Sequence, residues 1–321
     1  MLLRKFLSFF RVLRDSPHPL HDLRERLREN WFPILRTLHG GKTFRYKAAP
    51  GFPFVCVPAS ASSRQLFLHG YQEQLEAFIA SRWLQAGDGC IDVGANVGYF
   101  SCLFAEKAGR SGKVIALEPS PQTSAYLHQA VTLLGLGQVA VENVCAVDAE
   151  QPVRFMAALS DLADCEQSLR VDESQRGHFY EVEAQGTTLD ALVRKHQIED
   201  RVSLVKIDVE GAEPLVLRGS AKLFASAHRP LFIVEIHQMA LGNFQFKPRA
   251  ILDFFPTEEF RCFIVPRSVS DATAARPHGV PLLFVEGDEL PVYCNLIAVP
   301  RRGKFAERAS QLTGLFPDHK T

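Results

Sequence analysis

From about residue 88 onward, short apolar runs alternate with stretches that have helical spacing. This alternation predicts an α/β fold in which a parallel sheet is covered by helices on both faces. Ligands bind such sheets beyond the carboxyl ends of the strands, so residues that follow the strands are the first candidates for a functional site. The predicted strands are residues 90–92, 113–117, 139–143, 203–208 and 230–236.

The sequence after these strands predicts additions to the sheet. Residues 261–266 and 292–300 are later apolar runs, which suit an antiparallel pair at the sheet edge. Residues 157–180 are polar and charged, and they predict an excursion or loop. We therefore expect one domain at residues 86–305, followed by a C-terminal tail at residues 306–321.

Residues 1–85 lack this rhythm and predict an N-terminal α/β extension that covers one end of the domain. A charged helical run occupies 21–31, aromatics and prolines at 43–57 suggest short strands, and 73–83 has helical spacing. Within 2–14, four cations are mixed with apolar residues, so a helix there suits peripheral contact with an anionic membrane surface. The alternative is a terminal helix that packs on the domain or frays in solvent.

The charge composition gives no reason to expect a polyanionic partner. Lysine plus arginine and aspartate plus glutamate each total 36 residues, so we expect no nucleic acid partner. The seven cysteines form neither a C-x-x-C pair nor a cluster with histidine at metal-ligand spacing. They are interpreted as reduced core thiols of a cytoplasmic protein. This protein is expected to contact the inner membrane surface only through its basic N-terminus.

The first predicted strand runs into residues 92–101, DVGANVGYFS, where an acid precedes two glycines. Glycine is favoured where the backbone turns tightly or approaches a ligand, and a helix start offers free N–H groups. A dinucleotide fingerprint, G-x-G-x-x-G, has a middle glycine that this turn lacks. Asp92 would also repel a pyrophosphate, whereas it suits a ligand with positive charge or hydroxyls, such as S-adenosylmethionine.

The second predicted strand ends in Glu118 and Pro119, which places a carboxylate beside the first turn. Acids at this position accept hydrogen bonds from the ribose hydroxyls in NAD and adenosylmethionine enzymes alike. Glu118 therefore indicates a nucleoside without identifying it. The alternative for each element alone is an ordinary strand–helix turn with an exposed acid, but two such elements at successive strand ends favour a ligand site.

Two further strand ends carry ionisable side chains. Asp208, Glu210 and Glu213 lie within six residues after one strand, and Glu235 and His237 end another. Such residues are costly to bury unpaired, and they occur where the sheet should open toward a substrate. Both strand ends are therefore candidate catalytic regions.

Together these stretches resemble the FkbM-type methyltransferases, a family of class I, S-adenosylmethionine-dependent enzymes that mostly methylate hydroxyl oxygens. The resemblance covers about residues 88–240. It implies a Rossmann-like, seven-stranded sheet whose last strand is antiparallel, with S-adenosylmethionine as the cofactor. The matching stretches, in the family's order, are DVGANVGYFS at 92–101, EPSP at 118–121, TTLD at 187–190, KIDVEGAE at 206–213 and EIH at 235–237.

Methylation of a hydroxyl requires a carboxylate or histidine within hydrogen-bond reach of the proton that is lost. Strand-end position makes Asp208 the first candidate and His237 the second, with Glu210 and Glu235 as further candidates. The alternatives are that Asp208 caps the next helix or pairs with Lys206, and that His237 is structural. No spacing is diagnostic of a metal site, so no metal is expected; the alternative ligand set is Asp208, Glu210 and Glu235.

The cofactor site is expected at the first two strand ends and, for the adenine, after the third strand. Tyr99 and Phe100 start the helix after the glycine turn, where either ring suits a position near the cationic sulfur. Packing on the sheet is the favoured role of Phe100. The candidate cofactor-binding residues are Asp92, Gly94, Asn96, Gly98, Tyr99, Glu118, Pro119 and Asp148.

The predicted function is O-methylation of a hydroxyl on a sugar, a glycan or a glycosylated or polyketide-like small molecule. Two alternatives stay open: an NAD-dependent oxidoreductase of Rossmann fold, and a non-catalytic protein that keeps the fold as a binding scaffold. The missing middle glycine and Asp92 weigh against the oxidoreductase. The intact turn and the acids at the later strand ends weigh against the scaffold.

Overall fold

The computed structural model describes residue 27 and residues 31–48, 51–70, 73–158, 167–168, 179–266, 283–284 and 290–312. The basic segment 2–14, most of the helical run 21–31 and most of the polar stretch 157–180 lie outside the described residues. Within the described ranges, no helix has both the length and the apolar character needed to cross a membrane.

Strands and helices alternate along most of the described chain. The strands are β1 (Phe44–Ala48), β2 (Phe52–Cys56), β3 (Gly89–Val93), β4 (Lys113–Leu117), β5 (Val139–Glu142), β6 (Cys145–Ala146), β7 (Gln151–Ala158), β8 (Gln167–Ser168), β9 (Phe179–Thr187), β10 (Val202–Ile207), β11 (Leu231–His237), β12 (Phe260–Pro266), β13 (Leu283–Phe284) and β14 (Tyr293–Pro300). The helices are α1 (Ala61–His69), α2 (Gln74–Trp83), α3 (Tyr99–Ala108), α4 (Pro121–Leu134), α5 (Leu189–Lys195), α6 (Glu213–Arg218), α7 (Ala221–Ala225), α8 (Gln238–Asn243) and α9 (Arg249–Leu252), with a 3-10 helix at Ala306–Leu312.

The main sheet has the strand order β13-β12-β14-β11-β10-β3-β4-β5. Strands β3, β4, β5, β10 and β11 run parallel, and β14 pairs antiparallel with both β11 and β12. The α/β fold class and the seven-stranded sheet with an antiparallel last strand are thus confirmed, and β13 adds a two-residue edge. The expected antiparallel pair at the sheet edge is confirmed as β12–β14, and β14 joins this pair to β11.

The central strands are covered on both faces, which explains their continuous apolar sequences. Every residue of β3 and of β10 is buried. Successive side chains of a strand point to opposite faces, so Cys90 joins the core on one face and Ile91 the core on the other. The cysteines in the described residues are free thiols, and all but Cys262 are buried, as the sequence predicts.

A second, smaller sheet has the order β6-β9-β7-β8 and was not expected from the sequence. Its main pair is β7 with β9, which runs antiparallel from Gln151 opposite Gly186 to Ala158 opposite Phe179. Both ends of the stretch that the sequence assigned to an excursion therefore belong to strands. The buried residues of its small core are Cys145, Val147, Phe155 and Ala157.

The N-terminal extension packs on one face of the main sheet, whereas the sequence suggested that it covers one end. Helix α2 confirms the helix predicted at 73–83, and its Leu75, Ile79 and Trp83 are fully buried in the core that α3 shares. The antiparallel pair β1–β2 confirms the strands expected at 43–57. The extension and the main sheet thus share one hydrophobic core.

The start of the expected C-terminal tail also packs on the domain. Leu312, in the 3-10 helix, is fully buried. Arg308 donates from Nη1 to Asp88 Oδ2 at 2.5 Å and from Nη2 to Asp88 Oδ1 at 3.0 Å. This ion pair ties the 3-10 helix to the residue that precedes β3.

Replacing Trp83 with phenylalanine is expected to lower the free energy of unfolding by about 2–3 kcal/mol. The indole is fully buried and its Nε1 donates to the carbonyl oxygen of Ser203 at 2.7 Å, so the variant leaves a cavity and an unpaired carbonyl. Urea unfolding followed by circular dichroism measures the loss. Trp31→Phe is the matched control, because Trp31 is 54% exposed. Equal stability of the two variants would contradict this account of the core.

Candidate functional site

The turn after β3 is held against the ends of both neighbouring strands. The N–H groups of Gly94 and Ala95 donate to the carbonyl oxygen of Leu117, which ends β4, at 3.0 and 2.8 Å. Gly94 has a φ of 80°, and a Cβ at this position would lie 1.8 Å from the carbonyl oxygen of Asp208. A Cβ at Gly98, where φ is 90°, would collide with α4. Gly94 therefore permits a close approach to the backbone at the exit of β10, whereas the sequence suggested a close approach to a ligand.

Glu118 is a buried carboxylate fixed beside this turn. Its Oε2 accepts a hydrogen bond from the Asn96 N–H at 3.0 Å, and its Oε1 accepts one from the Ser120 N–H at 2.9 Å. The Asn143 side chain donates to the carbonyl oxygens of Glu118 and Pro119 at 2.8 and 3.0 Å. Three strand exits are thereby tied together, and the Glu118 carboxylate is held in one orientation.

Asp92 lies beneath the turn and is buried, with an exposed fraction of 1%. Its Oδ2 accepts a hydrogen bond from the Ser101 hydroxyl at 2.5 Å. Burial raises the pKa of Asp92 to about 6, although Lys206 and the Ser101 hydroxyl act in the opposite direction. Near pH 6 this carboxyl group is therefore protonated in about half of the molecules.

Lys206 is a buried ammonium group at the centre of the site. Its side chain is 3% exposed, and its Nζ lies 2.8 Å from Asp208 Oδ2 and 3.6 Å from Glu73 Oε2. The same Nζ stands 4.7 Å from the centroid of the Phe100 ring. Burial alone lowers the pKa of Lys206, but the carboxylates of Asp208, Glu73 and Asp92 outweigh burial and raise it. Lys206 therefore stays protonated and positively charged within this site.

Three carboxyl groups from three different elements converge here, and two of them contact the Lys206 ammonium. Glu73 caps α2 with a φ of 44°, Asp208 follows β10, and Glu235 lies on β11. One oxygen atom from each of them lies within 4.8 Å of the others. Burial, and next the charge of Asp208, raise the pKa of Glu235 well above its usual range. The Tyr293 hydroxyl donates a hydrogen bond to Glu235 Oε1.

This cluster differs from the metal set that the sequence offered as an alternative. Glu73 takes the place of Glu210 beside Asp208 and Glu235. Carboxylate oxygens suit a hard divalent cation, but the Lys206 ammonium already supplies a positive charge in contact with Asp208. An ion pair with Lys206 was one of the alternatives that the sequence offered for Asp208, and the structure contains this ion pair.

His237 and Glu210 form a second, more exposed pair at the end of β11. His237 Nδ1 lies 3.9 Å from Glu210 Oε2, and about a third of each side chain is accessible. The His237 ring stacks on the Tyr293 ring at a centroid distance of 4.9 Å. The Glu210 carboxylate raises the pKa of His237. Through Tyr293 this pair adjoins Glu235, so the structure brings all four proposed catalytic residues to one edge.

Other acids and hydroxyls of the matching stretches support the backbone. Glu213 Oε1 accepts hydrogen bonds from the N–H groups of Val209 and Gly211 at 3.2 and 3.1 Å. Burial raises the pKa of Glu213 to about 7. Thr188 caps α5, and Asp190 accepts a hydrogen bond from the first turn of α7 at 2.9 Å. These side chains fix the loops that carry the site.

Tyr99 and Asp148 lie apart from the charged cluster. The Tyr99 ring is 2% exposed and packs against Phe52, Phe54 and Phe100, which are contacts of a core residue. Of the two rings that start α3, Phe100 is the one beside Lys206, and it is also buried in the core of the main sheet, as expected. Asp148 is exposed after β6.

Sequence reasoning missed several residues that the fold brings to the site. Glu73 precedes an ordinary helical pattern, and nothing in its neighbourhood marks it as functional. Tyr293 begins β14 and Asn143 directly follows β5, and neither residue belongs to a motif. Lys206 did carry a signal, because a lysine inside an apolar strand must find a partner when it is buried.

A sequence profile of the methyltransferase FkbM domain matches residues 92–262, which is more than half of the 321 residues. The chain belongs to the FkbM methyltransferase family. The turn after β3, Glu118, Lys206, Asp208 and Glu235 all lie inside the matched range, whereas Glu73 lies outside it. Among curated proteins, none matches this FkbM family member.

Solved structures similar to this FkbM protein have low sequence identity to it. The methyltransferase FkbM from Methylobacillus flagellatus KT is 13% identical, with a TM-score of 0.39, covering 84% of this chain and 59% of that one. A SAM-dependent O-methyltransferase from Thermotoga maritima is 16% identical, with a TM-score of 0.38 and coverages of 79% and 76%. An rRNA methylase from Streptococcus thermophilus is 9% identical, with a TM-score of 0.38 and coverages of 72% and 96%.

The cofactor of the FkbM family is S-adenosylmethionine, and the described residues fit it. The Glu118 carboxylate is held by backbone N–H groups beside the turn, and a carboxylate is the acceptor that ribose hydroxyls require. The Asn96 Oδ1 atom is buried and has no hydrogen-bond partner within the described part of the chain. The carboxyl groups of Asp208, Glu73 and Asp92 lie near the single Lys206 ammonium, and this excess of acids suits a ligand with positive charge.

Proposed function

We propose that this FkbM family member methylates a hydroxyl oxygen of a sugar, a glycan or a glycosylated or polyketide-like small molecule. The observation that carries the proposal is the accessibility of the Asp208 carboxylate within an otherwise buried cluster. Its side chain is 18% exposed, against 3% for Lys206 and 1% for Glu73. Asp208 is thus the member of the cluster that an acceptor hydroxyl reaches.

S-adenosylmethionine, when bound, supplies an electrophilic methyl group. The chain's own residues orient the acceptor, and orientation of this kind contributes up to about 7–11 kcal/mol. Asp208 accepts the proton that the hydroxyl loses as the carbon–oxygen bond forms. Lys206 holds Asp208 Oδ2 at 2.8 Å and so fixes the orientation of that carboxylate. The raised pKa of Glu235 favours its protonated form, which adjoins Asp208 without a second negative charge.

The remaining site residues are assigned to the cofactor and to the mouth of the site. Glu118 is proposed to bind the ribose hydroxyls, and Asn96 the polar edge of the same nucleoside. Asp148 is the candidate beside the adenine. His237 and Glu210, which are partly exposed, are placed where the acceptor enters, and His237 remains the second candidate for proton acceptance.

Glu118→Ala is expected to weaken S-adenosylmethionine binding about 10- to 100-fold, because hydrogen bonds to a charged group contribute about 1.5–3 kcal/mol each. Isothermal titration of the purified protein measures the affinity, and Asp92→Ala is expected to weaken it as well. Glu106→Ala is the matched control, because Glu106 is an exposed acid on α3. Its affinity should equal that of the wild type.

Two results would overturn this proposal. A well-folded wild-type protein that binds no S-adenosylmethionine, alone or with a hydroxylated acceptor, lacks the proposed activity. Binding of NAD in its place would revive the oxidoreductase alternative. Micromolar binding that Glu118→Ala weakens, followed by incorporation of a labelled methyl group into a hydroxylated acceptor, would support it.

We further propose that residues 86–305 form the methyltransferase domain, with residues 1–85 as an extension and 306–321 as a tail. The burial of Glu73 and Trp83 in the shared core supports an extension that completes the site. A cytoplasmic location is proposed on the free, mostly buried thiols. Peripheral membrane contact through residues 2–14 stays a proposal from the sequence.

A further inference from the structure

The helix at residues 31–38 carries large apolar side chains on its exposed face. The large apolar side chains recur at spacings of three and four residues, which places them on one face of this helix. Their exposed fractions range from 48% to 74%. We call this set the apolar stripe; it consists of Trp31, Ile34 and Leu38.

The opposite face of this helix is already in use. Phe32 and Leu35 pack against the small core formed by Phe44, Cys56 and Phe67. The Phe32 and Phe67 rings lie 5.7 Å apart between centroids. The helix is therefore seated on the protein by one face, and the apolar stripe is left for a partner outside the described residues.

The segment that carries the apolar stripe has one sign of charge. Residues 31–72 contain no aspartate or glutamate, although the whole chain has 36 of each sign. The segment holds five cations, and the four in the helix and hairpin region are exposed. Helix α4, on which β2 packs, has no acidic residue either. The cations are Arg36, Lys42, Arg45, Lys47 and Arg64.

We infer that the apolar stripe and the surrounding cations bind the surface of an anionic lipid bilayer. Tryptophan favours the interface between lipid headgroups and acyl chains, and exposed isoleucine and leucine gain from the acyl region. Lysine and arginine near such a surface are attracted to anionic lipids. Nucleic acid binding uses cations and stacked aromatic rings but gains nothing from exposed aliphatic residues such as Ile34 and Leu38.

This surface differs from the methyl-transfer site and from the segment at residues 2–14. Docking would hold the extension, and with it Glu73 of the catalytic cluster, at the membrane. The inference stands on exposure and charge alone, so it does not depend on the identity of the methyl acceptor.

Flotation of the full chain with phosphatidylcholine vesicles, with and without phosphatidylglycerol, tests the inference. Binding to the anionic vesicles is expected, and the double variant Ile34→Glu, Leu38→Glu is expected to reduce the bound fraction about tenfold or more. Lys42→Glu with Lys47→Glu is expected to reduce binding to the anionic vesicles alone. The matched control is Met239→Glu with Val292→Glu, which alters side chains that are 73% and 60% exposed elsewhere.

Three outcomes would overturn the inference. Unchanged flotation of the stripe variant would assign membrane binding to residues 2–14. No vesicle binding, together with stripe-dependent binding of a single-stranded RNA, would assign the surface to nucleic acid. No vesicle binding, together with a dimer in analytical ultracentrifugation that the stripe variant abolishes, would assign it to a second copy of the chain.

Discussion

Asp208→Asn is expected to lower the kcat of methyl transfer about 100- to 10,000-fold, because the amide cannot accept the proton of the acceptor hydroxyl. The substitution keeps the shape of the side chain and the 2.8 Å approach to Lys206. S-adenosylmethionine affinity is therefore expected to stay within about twofold of the wild type. Initial rates with a labelled methyl donor, measured on a hydroxylated acceptor that the wild type methylates, give kcat and KM.

The control for this variant is Asp253→Asn. Asp253 is an exposed acid directly after α9, and it pairs with Arg249 at 2.9 Å. Its kcat should match that of the wild type. An Asp208→Asn enzyme with wild-type kcat would show that Asp208 does not take the proton, and His237→Gln would then be the variant to measure.

Lys206→Met is expected to lower the free energy of unfolding by about 3–5 kcal/mol, the usual cost of removing one partner from a buried ion pair. The variant buries the carboxylates of Glu73 and Asp208 without their counter-charge. Urea unfolding at several pH values measures the loss. Lys222→Met is the matched control, because Lys222 is exposed and its removal should leave stability within about 0.5 kcal/mol.

The pH dependence of this loss separates charge from packing. The raised pKa of Lys206 means that its contribution is complete below the unfolded pKa of about 10.4 and is lost only as pH rises through the folded value. Wild-type Lys206 is therefore charged at both pH 5 and pH 8. In the variant, protonation of the neighbouring carboxyl groups relieves the cost at low pH. The stability gap should be wide at pH 8 and narrow at pH 5, and a gap independent of pH would indicate lost packing.

Much of the fold followed from local sequence pattern. The apolar runs of β3, β4, β10 and β11 were located to within one or two residues, because strands buried on both faces are continuously apolar. The pair β7–β9 escaped prediction, because its sequences are polar and it packs around a small core. The position of β14 between β11 and β12 was missed as well, since periodicity identifies a strand but not its neighbours.

The candidate site, like the fold, was predicted only in part. Asp92, Glu118, Asp208 and Glu235 were found because each stands at a strand exit, and parallel strands end at one edge of the sheet. Tyr99 was predicted beside the cofactor and stays a candidate there; its ring packs against Phe52, whereas the neighbouring Phe100 ring lies beside Lys206.

The sequence by itself determined the α/β fold, the family and the glycine turn after β3, because these depend on residues that are close together in the chain. The tertiary structure alone decided the charge balance of the site. Glu73, Lys206 and Glu235 come from α2, β10 and β11, and their contacts depend on how these elements pack. A pKa is set by burial and by nearby charge, so the raised pKa values of Glu235 and Lys206 became visible only once the chain was folded.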